Sequence, residues 1–227
     1  SIFPMTGACE DSLGVDMNVI MSDKVVNTGK QFIVIDSANF GFELEKWDQI
    51  TFDNDVNVWM CGTMSDLIKF DYKQKQKYDR RNMINLGFIN CIQSDSKGNI
   101  WIAATKGLAK FRDGSIYSFD TSNSELRYPN IKSIQIDEED KIWINQNFSK
   151  YELPADELLV FDGIESWISI KLPVDELSGE PCRISNMTFD NRFNLYFIKS
   201  ALKPKRNKIL YKYNNNQFSS FTSDDFH

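Results

Sequence analysis

The side chains best able to do chemistry in this 227-residue chain are 32 carboxylates, 4 cysteines at positions 9, 61, 91 and 182, and one histidine, His227. The triplet Asp53-x-Asp55-x-Asn57 has the spacing that opens a calcium loop, but the later glycine and bidentate acid of such a loop are missing. It reads instead as a hairpin turn, where Asp and Asn bond their own backbone. No C-x-x-C pair is present and the lone histidine is terminal, which disfavours a zinc centre. Cys61 and Cys91 each sit in an apolar run and read as small buried hydrophobes, with a disulfide left open. Neither G-x-S-x-G nor H-E-x-x-H occurs, so no nucleophile, base and orienter can be assembled. Catalysis by carboxylates is the enzymatic route left open, and no metal or other cofactor is expected.

Charge narrows the partners. The formal net charge is −6, and the 26 basic residues are scattered apart from Lys199, Lys203, Lys205, Arg206 and Lys208. A nucleic-acid binder would carry a basic footprint, so that class is not expected. No stretch approaches the roughly 18 consecutive apolar residues of a membrane span. The opening Ile2-Phe3-Pro4-Met5-Thr6-Gly7-Ala8-Cys9 has small residues before a cysteine, as in a lipoprotein signal that would anchor Cys9, although Thr6 stands where such signals carry Leu. An unstructured leader is the competing reading.

The elements that position these groups follow from an internal period. Ile50-Thr51-Phe52-Asp53-Asn54-Asp55-Val56-Asn57-Val58-Trp59-Met60 aligns with Ile92-Gln93-Ser94-Asp95-Ser96-Lys97-Gly98-Asn99-Ile100-Trp101-Ile102 and with Ile134-Gln135-Ile136-Asp137-Glu138-Glu139-Asp140-Lys141-Ile142-Trp143-Ile144, each 42 residues on. A fourth copy, Met187-Thr188-Phe189-Asp190-Asn191-Arg192-Phe193-Asn194-Leu195-Tyr196-Phe197, follows after 53 residues with Tyr196 in the Trp position. Further apolar segments close each copy, such as Leu108–Phe111 and Ile116–Phe119.

Four short strands per repeat of about 42 residues describe one antiparallel blade of a propeller. The Trp strand, as in Ile100-Trp101-Ile102-Ala103-Ala104, is apolar on both faces, which suits a sheet covered on both sides. The fold class expected is therefore all-β: a β-propeller of about five four-stranded antiparallel blades. The repeat blades fall at 47–88, 89–130, 131–183 and 184–227, and a divergent blade without the Asp/Trp signature at 10–46. The Trp rings are expected to fill the wedges between blades.

The copy running from Ile92 to Phe111 resembles the two-component regulator propeller repeat, and differs from the WD and kelch types. The turn glycine of that repeat, Gly98 here, is replaced by Val56, Asp140 and Phe193 in the other copies. Bulky residues tolerate positive φ poorly, so those three turns are expected to take another geometry. The resemblance implies an extracytoplasmic sensing region of a bacterial hybrid sensor kinase, often responding to oligosaccharide, or a free-standing relative in the periplasm or cell envelope. A non-catalytic ligand-binding or interaction module is thus expected, its partner an oligosaccharide or another envelope protein. A propeller enzyme of the lactonase or lyase kind and a structural scaffold are the alternatives.

Loop length points to a working face. From the Trp position to the end of the next strand takes 11 residues in the first copy (59 to 70) and 10 in the second (101 to 111). It takes 18 in the third (143 to 161) and 17 in the fourth (196 to 213). Irregular loops on a rigid scaffold are where binding tends to reside. Asn145, Gln146, Tyr151, Lys199 and Lys203 are accordingly the candidate ligand-contacting residues, at the end opposite the Asp-led turns.

Overall fold

The computed structural model describes residues 49–62, 66–71, 73–79, 86–146, 157–174, 182–201, 208–222 and 225. The divergent blade expected at 10–46, with Cys9 ahead of it, lies outside the described residues.

The described strands form four antiparallel sheets in simple up-and-down order. The first holds β1 (Gln49–Phe52), β2 (Val58–Cys61), β3 (Leu67–Phe70) and β4 (Lys75–Tyr78). The second holds β5 (Ile89–Ser94), β6 (Ile100–Ala104), β7 (Gly107–Arg112) and β8 (Ser115–Phe119). In the third stand β9 (Ile131–Ile136), β10 (Ile142–Gln146), β11 (Glu157–Phe161) and β12 (Trp167–Lys171). The fourth comprises β13 (Cys182–Phe189), β14 (Leu195–Ala201), β15 (Lys208–Asn214) and β16 (Gln217–Phe221).

Successive sheets touch along their first strands, β1 with β5, β5 with β9 and β9 with β13. Those strands therefore face a common axis, and the polar β4, Lys-Gln-Lys-Tyr, forms an outer edge. Lysines on an edge strand discourage pairing with another chain. Burial is deepest at the inner strands of the sheets, and β6 is buried at all five positions. A sheet wetted on one face would alternate; a blade packed on both faces does not.

Each gap between sheets is filled in the same way. Trp59 meets Phe111 of the next sheet at 5.1 Å, Trp101 meets Phe161 at 5.8 Å and Trp143 meets Tyr213 at 5.4 Å, each edge-on. The three tryptophans thus occupy equivalent places, as the 42-residue period requires. Cys61 and Cys91 are buried inside these layers, and burial pushes the Cys91 thiol up.

Candidate functional site

One end of the array is closed by four Asp-led turns of common design. In the second sheet Asp95 Oδ1 accepts from the backbone N–H of Lys97 (3.0 Å) and Asn99 (2.9 Å), while Oδ2 accepts from the Asn99 amide (2.6 Å) and the Trp101 indole (2.9 Å). Asp53 does the same for Asp55, Asn57 and Trp59, and Asp137 for Glu139, Lys141 and Trp143. Asp190 holds Arg192 and Asn194. One carboxylate therefore fixes the turn and aims the wedge-filling ring. Asp53 would be raised by burial, but bonds from Trp59 and Asn57 and the charge of Lys69 outweigh that and hold it below the ordinary carboxylate value. Asn194, against a smaller burial effect, brings Asp190 down to about 2.

The expectation of a different turn at Val56, Asp140 and Phe193 is overturned. Their φ angles are 62°, 61° and 57°, beside 77° at Gly98. The same left-handed geometry is kept because the aspartate network and the backbone bonds across each turn over-determine it. Asp140 uses that orientation: its carboxylate reaches the preceding sheet, accepting from the Ser96 N–H and Oγ at 2.7 Å each, with Lys97 Nζ at 3.3 Å. Burial opposes ionisation of Asp140, yet these Ser96 and Lys97 contacts leave its pKa lowered. Asn54 makes the corresponding link from the first sheet, donating to the Ser96 carbonyl at 2.7 Å. This face is structural lacing, and the triplet at Asp53 is a hairpin turn.

At the opposite end stand the sequence-predicted site residues. Asn145 closes β10 with only 3% of its surface exposed. Its amide donates to Ser133 Oγ (3.3 Å) and to the Ile184 carbonyl (3.0 Å), joining third and fourth sheets. Gln146 accepts from the Tyr128 N–H at 2.9 Å and so holds the link that enters β9. Lys199 lies on β14 between Ile184 and Ile209, 2% exposed and on the same side of the strand as Phe197. Ile184 is thus a shared neighbour, and the structure brings Asn145 and Lys199 to the same wedge. Tyr151 and Lys203 lie outside the described residues, as do most of both long connections.

The second sheet shows what the third and fourth have added. Where β6 ends in Ala103-Ala104, β10 ends in Asn145-Gln146, and β14 continues as Ile198-Lys199-Ser200. Ala104 and Ala103 seal the wedges on either side of the second sheet, whereas the Asn145 amide and the Lys199 ammonium stand in the wedge between the third and fourth. Sequence reading named these groups as ligand-contacting without foreseeing that Asn145 and Lys199 are buried, and missed Asn90, whose amide donates to Asn130 Oδ1 (3.1 Å) and the Ile131 carbonyl (2.8 Å) at the same end. The Asn90 signal was available as an amide set between the apolar Ile89 and Cys91.

Residues 83–106 match the family described as two component regulator propeller. No curated protein matches the sequence. In fold, the chain is similar to the extracellular domain of BT3049, described as a hybrid two component system of B. thetaiotaomicron, with 18% identity, a TM-score of 0.56, and coverage of 74% of this chain and 22% of that one. A virginiamycin B lyase from Staphylococcus aureus shares 14% identity at a TM-score of 0.60, over 81% of this chain and 58% of the lyase. PorZ, a surface component of the type-IX secretion system of Porphyromonas gingivalis, shares 11% at 0.59, over 86% and 29%. The chain therefore spans between about a fifth and three fifths of the length of these structures. In fold the array is a β-propeller, and residues 83–106, which include β5 and β6 of its second sheet, match the two component regulator propeller family.

Proposed function

We propose that this chain is a non-catalytic recognition module of the bacterial cell envelope, related to sensor propellers, whose ligand or protein partner is held at the end of the third and fourth blades where Asn145, Gln146 and Lys199 gather. The observation that supports this is the contrast within the repeat: polar side chains stand in these two blades at positions the second blade fills with alanine. A scaffold needs only the sealed version. Tyr151 and Lys203, in the connections that leave this end, complete the proposed contact set.

The test is a thermal-shift screen of the whole chain against oligosaccharides and metal ions, followed by shortening of both long connections to the length of Ala104-Thr105-Lys106-Gly107. Binding lost with folding retained is the expected result; undiminished affinity in the shortened protein would move the site elsewhere. An enzyme is the second reading, prompted by the lyase-like fold. Turnover of a lactone or glycan that vanishes with one carboxylate substitution would establish it, and no turnover is expected.

A further inference from the structure

The first sheet has two flanks, and only one meets a neighbouring sheet among the described residues. Trp59, Cys61 and Leu67 enter the cluster shared with the second sheet. The other flank carries Ile50, Phe52, Val58, Met60, Ile68 and Phe70, placed on one side by the pairings Ile50 with Met60, Phe52 with Val58, Met60 with Ile68 and Val58 with Phe70. In later sheets the equivalent flank packs on the sheet before it. Ile92, Ile100, Ile102 and Phe111 share a cluster with Trp59, and Ile134, Ile142, Ile144 and Phe161 with Trp101. Ile50 holds the same repeat position as Ile92 and Ile134, yet it is 60% exposed where they are 1% and 0%. Phe52 beside it is 50% exposed. A repeat cannot bury its apolar face alone, so this flank is built for a preceding repeat.

The chain before β1 has the length and the phase to supply one. A sheet takes as few as 30 residues, 49–78, and the step from its last strand to the next first strand covers 11 or 12 positions (78 to 89, 119 to 131, 171 to 182). One sheet and its link fit into the 48 preceding residues. Moving back 42 positions from Asp53, Val56 and Trp59 reaches Asp11, Gly14 and Met17. Asp11-Ser12-x-Gly14 thereby repeats Asp95-Ser96-x-Gly98. The same step from β4 reaches Ile33-Val34-Ile35-Asp36, a largely apolar run.

We propose that residues 11–36 belong to a fifth copy of the repeat and dock on this flank, with Asp11 as turn aspartate, Gly14 as the left-handed residue, and Met17 where three copies carry Trp and the fourth Tyr, against Ile50 and Phe70. The lacing between turns extends to this pair. Asn54 lies 3.5 Å from the Cβ position of Gly98, and Ser96 bonds Asp140, so in the first two described sheets the residue after the turn aspartate touches the left-handed residue of the next copy. Ser12 accordingly sits beside Val56.

The experiment uses the whole chain with Cys9→Ser and Cys182→Ser, adding Ser12→Cys and Val56→Cys. Val56 is exposed in its turn, so the pair leaves the core untouched. An oxidant is expected to form a disulfide within one chain, absent with either cysteine alone. In parallel, Ile50→Asp with Phe52→Asp is expected to strip hydrogen-exchange protection from residues 11–36 while the second and third sheets keep theirs. Absence of the disulfide together with unchanged protection at 11–36 overturns the proposal. So does a disulfide found only between chains, in a dimer that the two Asp substitutions dissolve, because a second copy would then occupy the flank.

Discussion

At the residue scale, the aspartates of the turns decide more than the residues they constrain. A non-glycine residue in the left-handed region costs about 1–2 kcal/mol, and a β-branched one lies at the upper end. Val56 and Phe193 bear that cost with half-exposed side chains. Val56→Gly and Phe193→Gly are therefore expected to stabilise the protein by up to about 1 kcal/mol, after allowing for the added freedom of glycine in the unfolded chain. Asp140→Gly relieves the same strain but removes the acceptors of two Ser96 bonds, and hydrogen bonds to a charged group contribute about 1.5–3 kcal/mol. It should destabilise, by about 1–2 kcal/mol, in urea unfolding of the three variants side by side. The expectation of another turn geometry failed because it weighed one residue's steric preference against nothing; the opposing carboxylate network is visible in sequence only as a repeated Asp. The same carboxylates set an acid limit. Asp53, Asp140 and Asp190 have folded pKa values below the usual 3.8, so the stability they contribute is present above about pH 4 and is lost as pH falls through the folded values. Urea midpoints should fall between pH 5 and pH 2, and Asp190→Asn should flatten that slope; a midpoint unchanged across the range would contradict the assignment.

At the element scale, the strands were legible because turn chemistry and apolar runs recur in phase. The next strand of the first copy, expected to end at residue 70, ends there as β3, and β7 exceeds Leu108–Phe111 by one residue at each end. What the runs do not reveal is which polar residues go inside. Asn145 is buried because a backbone carbonyl of the fourth sheet, 39 positions away, accepts its amide, and no local pattern announces such a partner. The Trp strand carries the largest energetic weight of any element. Trp101 has no exposed surface, its indole donates to Asp95, and Lys110 Nζ stands 5.2 Å from its ring centroid. Trp101→Ala should cost about 3–5 kcal/mol. Tyr196, half-buried in the same repeat position with Lys212 over its ring, should cost no more than about 2 kcal/mol on truncation. Equal losses in chemical denaturation would show that the two positions are not ranked by burial.

At the scale of the whole molecule, stability in a repeat array is approximately a sum of sheet terms and nearest-neighbour interface terms. The second and third sheets each contribute to two apolar clusters, whereas the first and fourth each contribute to one among the described residues. Turn lacing follows the same order, since Ser96 receives Asn54 from one side and engages Asp140 on the other. Opening of the array should therefore start at its flanks and reach the centre last. Native-state hydrogen exchange is expected to be slowest in β6 and β10, whose openings require separation of two interfaces, and faster in β2 and β14. The repeat proposed to dock on the first sheet would add an interface there, which should make β2 slower than β14. In the Ile50→Asp, Phe52→Asp chain that difference should disappear while β6 and β10 keep their rank. Exchange that proceeds at one rate across all four second strands would instead mean that the array opens as a single unit, with its interfaces too strong to yield separately.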